Sequence, residues 1–378
     1  MGKLKIIADH KIPFLQGVLE PYAEVTYVPG RNITNERIRN ASALVIRTRT
    51  ICNETLLKGT GVKFIATATI GYDHIDTKWC EAYGIQWANA PGCNSSSVMQ
   101  YIASVLITLS RLKKEALEGK TLGVIGVGHV GSKVAALGKL LGMQVLLNDP
   151  PRARKEGVDG FSDLNDLLRK SDIVSLHVPL EKQGPDATWH MADAVFFEQM
   201  KKGAWFINSS RGSVTNNKAL LRAINDHKLG AVALDVWEGE PEIDRELLTE
   251  VAIATPHIAG YSADGKAAGT AMAVRSLARF FGLPLASWYP SELPQPQHPV
   301  IDLAGVPAKE QLADAILHTY SVLQDDNRLR LLPETFEAQR ENYPIRREFP
   351  AYTVKNYVPS KEHEDKFRTL GFLIDPIK

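Results

Sequence analysis

The sequence predicts an α/β protein organised on a doubly wound parallel sheet, and three observations predict it. An apolar run at 122–127 meets Gly126-Val127-Gly128-His129-Val130-Gly131, a small-residue helix pattern follows over 133–142, and a second apolar run, Val145-Leu146-Leu147, closes on Asp149. Short apolar segments alternate with helical ones on both sides of that stretch, as in a parallel sheet crossed by helices. The composition then changes where Pro284, Pro290, Pro294, Pro296 and Pro299 crowd one stretch, which reads as a linker before a separate region.

Taken in order, residues 1–95 carry apolar strand candidates at 4–7, 24–27, 43–46, 63–66 and 85–87. Two of them end in polar residues, Arg47-Thr48 and Thr67-Ala68-Thr69-Ile70-Gly71. Ligands of open parallel sheets lie beyond the carboxyl ends of strands, so Arg47, Thr48, Thr69, Ile70 and Gly71 are candidate substrate contacts, although the same residue types also serve as plain turns. Val98, Tyr101, Val105 and Leu109 recur near helical spacing, so 97–112 reads as a long helix leading into the glycine stretch.

Strand, glycine turn, helix, strand and acid in that order describe a Rossmann-type dinucleotide site. Gly126 permits the tight turn, Gly128 lets backbone approach a pyrophosphate, and Gly131 lets helix pack on strand; the phosphates rest on the helix N-terminus, where His129 and Val130 lie. Asp149 is placed for the ribose hydroxyls and favours NAD over NADP, a preference that Arg152 and Arg154 just behind it temper. Further apolar runs at 173–177, 204–208, 231–234 and 252–254 bring the sheet to six strands.

The alanine-rich stretch 260–282 reads as a helix returning to the first domain. The expected domains are therefore 1–95 plus 260–285, a discontinuous substrate domain; 96–259, the dinucleotide domain; and 286–378, a small α+β region. In this last region helices are expected near 309–323, 333–342 and 361–370, with a strand at 352–357. It is small for a core of its own, and a contact between two copies of the chain would supply one. Arg346 or Arg347 would then reach a neighbouring subunit, and is otherwise a solvated pair.

Totals exclude several classes. A net charge of +1 over 378 residues, with no basic run, gives no reason to expect nucleic acid. Cys52, Cys80 and Cys93 form neither a disulfide framework nor a metal site and suit a reducing, cytoplasmic setting. Residues 4–7 look like a strand, not a signal peptide, and the weakly charged stretch 82–110 is too broken by Pro91, Asn89 and Asn94 to span a membrane.

Three positions near strand ends of the second domain can carry chemistry. Arg211 follows Asn208-Ser209-Ser210, Glu240 lies in Asp235-Val236-Trp237-Glu238-Gly239-Glu240-Pro241, and His257 in Pro256-His257-Ile258-Ala259-Gly260. Moving a hydride from a secondary alcohol to a nicotinamide needs a base near neutrality, which an imidazole supplies. A carboxylate would orient that imidazole, and a guanidinium would hold a substrate carboxylate. Asp235 reads either as a contact to the nicotinamide end or as a turn cap.

The glycine motif and these three segments, in this order, resemble the D-isomer-specific 2-hydroxyacid dehydrogenases over roughly residues 1–285. The resemblance implies Arg211 and Glu240 as active-site residues and His257 as proton donor or acceptor. It gives Thr48, Thr69 and Tyr261 to substrate, and Asp149, Val178, Ser209, Ser210, Arg211, Asp235 and Gly260 to NAD. Within the family, Ala68-Thr69-Ile70-Gly71-Tyr72-Asp73-His74, Ala90-Pro91-Gly92-Cys93-Asn94, Asp149-Pro150-Pro151-Arg152 and the added C-terminal region are most similar to homodimeric members that oxidise a small phosphorylated 2-hydroxy acid. Members acting on 3-phosphoglycerate or glyoxylate, and corepressor-like NAD sensors, remain as alternatives. Relatives carry Asp where Asn216 stands and Glu where Gln100 stands; Asn can still cap a helix.

Overall fold

The computed structural model describes residues 4–375 and divides into two compact units, Met1–Asn94 with Ser262–Pro294, and Ser95–Tyr261 with Gln295–Lys378. In the first unit, strands β1 (Lys5–Asp9), β2 (Glu24–Val28), β3 (Ala43–Ile46), β4 (Phe64–Thr67) and β5 (Gln86–Ala88) form one parallel sheet in the order β2-β1-β3-β4-β5. That is the flavodoxin-like order. β3 and β4 are buried along their whole length, which is why they read as unbroken apolar runs, not as alternating ones.

The helix Ala263–Phe281 belongs to this unit although it comes far later in the chain. Ser262 Oγ accepts the Gly265 N–H at 2.8 Å to start it, and Gly282 ends it at φ 69°. Its small residues have a packing reason. A Cβ on Gly269 would stand 2.7 Å from the Ala68 carbonyl oxygen, so the helix lies almost against backbone just beyond β4.

The second unit holds six parallel strands: β6 (Thr121–Ile125), β7 (Gln144–Asn148), β8 (Ile173–Leu176), β9 (Ala204–Asn208), β10 (Leu229–Leu234) and β11 (Ile253–Ala254), ordered β11-β10-β9-β8-β6-β7. The number and the doubly wound plan agree with the sequence. The chain steps outward from β6 to β7, then returns past β6 to β8, so the strand order reverses beside β6. Ligands of such sheets bind at that switch point.

The residues from Gln295 onward belong to this same unit. Strands β12 (Val300–Asp302), β13 (Thr353–Lys355) and β14 (Leu373–Ile374) make a third parallel sheet. The core that a region of this size lacks comes from its own chain: Ile316, Val322, Phe349 and Phe367 share one apolar cluster with Tyr101, Leu106 and Leu109 of the helix Ser95–Lys113. That helix is therefore buried on far more than one face. Arg346 and Arg347, read from sequence as a solvated or partner-reaching pair, are both interior, at 5% and 9% exposure.

The expected helix at 309–323 is two helices, Ala308–Thr319 and Val322–Leu331, broken at an extended Tyr320. The second escaped notice because Asp325, Asp326, Asn327, Arg328 and Arg330 give it little apolar periodicity. Two of those charges are interior. Asp326, 5% exposed, accepts the Ala254 N–H of edge strand β11 at 2.7 Å, and it also pairs with Arg330, whose other nitrogens donate to the Leu248 and Val251 carbonyls. A charged helix thus covers the open edge of the sheet. Strands β12 and β14 are too short to leave a pattern. The final helix, Lys361–Leu370, lies where the sequence places it. No helix among the described residues is long and apolar enough to cross a membrane.

Replacing Asp326 with Ala would orphan the buried Ala254 amide and take from the half-buried Arg330 its carboxylate partner, leaving it the Leu248 and Val251 carbonyls. It is expected to destabilise the chain by roughly 2–4 kcal/mol, and an unaltered thermal midpoint would contradict this role.

Candidate active site

The glycine turn is built as its sequence requires. Gly126 sits at φ +83°, and a Cβ there would lie 2.6 Å from the His177 carbonyl oxygen and 2.8 Å from Val178, which packs on the turn. A Cβ on Gly131 would fall 1.9 Å from the Gly126 carbonyl, so only glycine lets the helix His129–Leu140 approach β6 this closely. Gly128 differs. A Cβ on it would meet nothing within 4 Å, so no packing among the described residues accounts for glycine there. Gly128 also caps that helix without any side-chain hydrogen bond, leaving the amides at His129 and Val130 open to an anion.

Asp149 closes the same site. Its Oδ2 accepts the Val127 N–H at 2.8 Å and its Oδ1 the Arg152 N–H at 3.0 Å, tying the acid to the glycine turn and leaving one lone pair on each oxygen for ribose hydroxyls. Arg152 is turned onto Glu156, at 2.9 and 2.6 Å, and onto the Val127 carbonyl; Arg154 pairs with Asp186. Neither arginine stands unengaged for a 2′-phosphate. Ser209 Oγ, after β9, is buried and without a partner among the described residues, as a group reserved for a ligand would be. These features fit a dinucleotide.

Asn208, the last residue of β9, shapes the turn that carries Arg211. Its Nδ2 donates to the Arg211 carbonyl and to Thr215 Oγ1, both at 3.0 Å, while its Oδ1 accepts from Ser210 N and Oγ. Arg211 Nη1 donates to the Ser210 carbonyl at 2.8 Å. A Cβ on Gly212 would lie 2.0 Å from the Trp237 carbonyl oxygen, so the Arg211 turn rests on the segment that bears Glu240.

Glu240 and His257 meet. Imidazole Nδ1 and Glu240 Oε2 are 2.7 Å apart, and Glu240 Oε1 accepts the Trp237 N–H at 2.9 Å. Burial pushes the Glu240 carboxyl up, but the charge and hydrogen bond of His257, the Trp237 amide and the charge of Arg340 more than offset this and hold it below the ordinary carboxylate value. The carboxylate therefore stays ionised and fixes His257 with Nδ1 toward itself, which leaves Nε2 outside this pairing.

His257 is held at φ +57°, a left-handed backbone uncommon for a residue with a side chain. Asp235 maintains it. That carboxylate, 1% exposed, accepts Thr255 Oγ1 at 2.6 Å, Ile258 N at 2.8 Å and Ala259 N at 2.9 Å, while the His257 N–H donates to the Asp235 carbonyl at 2.7 Å. The turn-cap reading of Asp235 is thus what its contacts show. Sequence reasoning overlooked the residues behind this loop. Tyr101, fully buried, shares a hydrogen bond with Thr255 Oγ1, and Arg346 Nη2 donates to the Ala259 carbonyl at 2.5 Å. Gly260 and Tyr261 follow directly, both half-buried.

The substrate candidates in the first unit are equally ordered. Arg47 donates through Nε and Nη2 to Asp9, at 3.0 and 3.4 Å, and Asp9 has no exposure. Thr48 beside it is exposed. Thr69 Oγ1 bonds Thr67 Oγ1 at 2.7 Å and donates to the Gly71 carbonyl, while Asn89 Nδ2 holds the Ile70 carbonyl at 2.7 Å. Asn216 caps the helix Asn217–Asn225 by accepting the Ala219 N–H at 3.0 Å, so its difference from relatives leaves that helix start intact. No group of three His, Cys, Asp or Glu placed to hold a metal occurs among the described residues.

Comparison with known proteins agrees with this geometry. Residues 100–259 match the D-isomer specific 2-hydroxyacid dehydrogenase NAD binding domain, and residues 292–371 match a domain of unknown function. Erythronate-4-phosphate dehydrogenase of Bacteroides thetaiotaomicron is 50% identical over 93% of this chain and 99% of its own length, and that of Escherichia coli O9:H4 (strain HS) is 40% identical over 93% and 94%. Among solved structures, D-lactate dehydrogenase of Aquifex aeolicus, complexed with NAD and lactic acid, has a TM-score of 0.63 at 27% identity, covering 74% of this chain and 95% of that one. D-mandelate dehydrogenase of Rhodotorula graminis shares the fold at TM-score 0.66 and 21% identity, covering 79% of this chain and all of its own. The chain is an NAD-dependent oxidoreductase that belongs to the D-isomer-specific 2-hydroxyacid dehydrogenases and, within them, to the family of erythronate-4-phosphate dehydrogenases.

Proposed function

We propose that this chain oxidises 4-phospho-D-erythronate at C2 to 2-oxo-3-hydroxy-4-phosphobutanoate, a step of pyridoxal 5′-phosphate synthesis, as a cytoplasmic homodimer joined through its C-terminal region. The Glu240–His257 pair carries the reading, because it supplies an oriented base where a dinucleotide fold presents its ligand. NAD, when bound, accepts the hydride from C2. His257 Nε2 takes the C2 hydroxyl proton, and the ionised Glu240 stabilises the imidazolium that results. Arg211 holds the substrate carboxylate, together with backbone N–H groups near Ile70 and Gly71; Thr48, Thr69 and Tyr261 fix the hydroxyls. Arg47, oriented by Asp9, holds the phosphate. Gly260, Val178, Ser209 and Ser210 line the cofactor, and Asp235 holds the loop at its nicotinamide end.

Replacing His257 with Ala is expected to lower NADH formation from 4-phospho-D-erythronate at least about a hundredfold, and undiminished turnover would refute its role as base. Glu240→Gln removes the anion that favours the imidazolium, so the acidic limb of the kcat/KM profile for oxidation should move to lower pH along with a fall in rate; a limb left in place would separate Glu240 from the base. Arg47→Ala should weaken phosphorylated substrate far more than an unphosphorylated analogue, and equal losses on both would dismiss Arg47 as the phosphate contact.

A further inference from the structure

Arg340 lies in the C-terminal region, on the helix Phe336–Glu341, and nothing in the dehydrogenase motifs points to it. Its side chain is 15% exposed, its guanidinium carbon stands 5.9 Å from the ring centroid of Tyr261, and a second ring, Phe336, lies at the same distance. Nη1 donates to Glu337 at 3.2 Å, whereas Nε is buried and finds no partner among the described residues. Tyr261 in turn meets the Tyr343 ring edge-on at 5.8 Å. The loop that follows His257 is therefore packed against one short C-terminal segment.

The guanidinium is held by Glu337 and by a hydrogen bond with Tyr261, and these partners must offset the cost of burying it with Nε unsatisfied. Its charge also acts on the site. Burial disfavours the Arg340 cation, and Tyr261, Glu240 and Glu337 more than restore it, while Arg340 in turn adds to what keeps Glu240 ionised. The charged groups coupled to this cluster are Glu240 and Asp235, both felt by His257, and Arg340, felt by Glu240 and paired with Glu337.

We propose that Arg340 is a positioning residue of the active site, contributed by the C-terminal region: it seats the Tyr261 ring and sets the electrostatic balance of the Glu240–His257 pair. The C-terminal region then belongs to the catalytic apparatus, beyond any part it plays in joining two copies. This rests on His257 acting as the base.

The test uses the full-length chain with NAD and 4-phospho-D-erythronate. Arg340→Gln should lower kcat/KM roughly ten- to a hundredfold. Removing a cation near the pair favours the imidazolium, so the acidic limb of the profile should move to higher pH by about half a unit or more, opposite in sign to Glu240→Gln. Arg340→Lys, which keeps the charge, should retain the limb and recover part of the rate, and Arg340→Gln combined with Tyr261→Phe should lose less than the product of the single losses. An unchanged rate and profile in Arg340→Gln would overturn the proposal. So would a loss with the limb fixed and fully multiplicative with Tyr261→Phe, the mark of a merely structural role. If Arg340→Gln does not fold, a limb displaced to higher pH in Arg340→Lys would overturn it equally. Should His257→Ala retain full activity, the base assignment has failed; should it lose activity while Arg340→Gln keeps it, only the present proposal has.

Discussion

One buried carboxylate organises the loop that carries His257. Asp235 reaches no bulk water, and it spends its hydrogen-bonding capacity on the Thr255 hydroxyl and the amides of Ile258 and Ala259. Burial raises its carboxyl above the ordinary value even against those bonds, so the arrangement holds only while the loop stays folded around it. The reward is a histidine fixed in a left-handed conformation, with one ring nitrogen on Glu240 and the other turned away from it. Strain of this kind persists when the surroundings over-determine it, and here a carboxylate, a tyrosine hydroxyl and an arginine from a distant part of the chain all do so.

The second constraint is space for a ligand. Gly126 and Gly131 are glycines because backbone elsewhere in the chain leaves no room for a Cβ, whereas a Cβ on Gly128 would meet none of the described residues within 4 Å. An uncapped helix start, an orphaned serine hydroxyl and an acid tied to the same turn surround that opening. They are the features that a bound dinucleotide would complete.

Much of this was legible in the sequence because its causes are local. Glycine spacing, apolar strand runs and residues just beyond strand ends depend on a few neighbouring positions, so six strands, the returning helix and the Glu240–His257 pairing follow from short segments. What stayed hidden depends on distant partners. Asp326 is charged because an edge amide of β11 needs an acceptor, and Arg346 is buried because a loop carbonyl near His257 needs a donor; neither leaves a periodic trace. The same cause explains the C-terminal region, whose core is borrowed from the helix Ser95–Lys113 and so cannot be counted from its own residues. Gln100 shows it at a single position: fully buried, it donates to Thr319 Oγ1 and to the Arg347 carbonyl, both far away in sequence.

The central claim is that one imidazole nitrogen is reserved for the substrate while the other is held by a carboxylate. A crystal structure with NAD and an unreactive analogue of 4-phospho-D-erythronate measures this directly. The account predicts His257 Nε2 at about 2.6–3.2 Å from the C2 hydroxyl oxygen with Nδ1 still on Glu240. A C2 hydroxyl bonded to some other group, with His257 beyond reach even through one water, would contradict it.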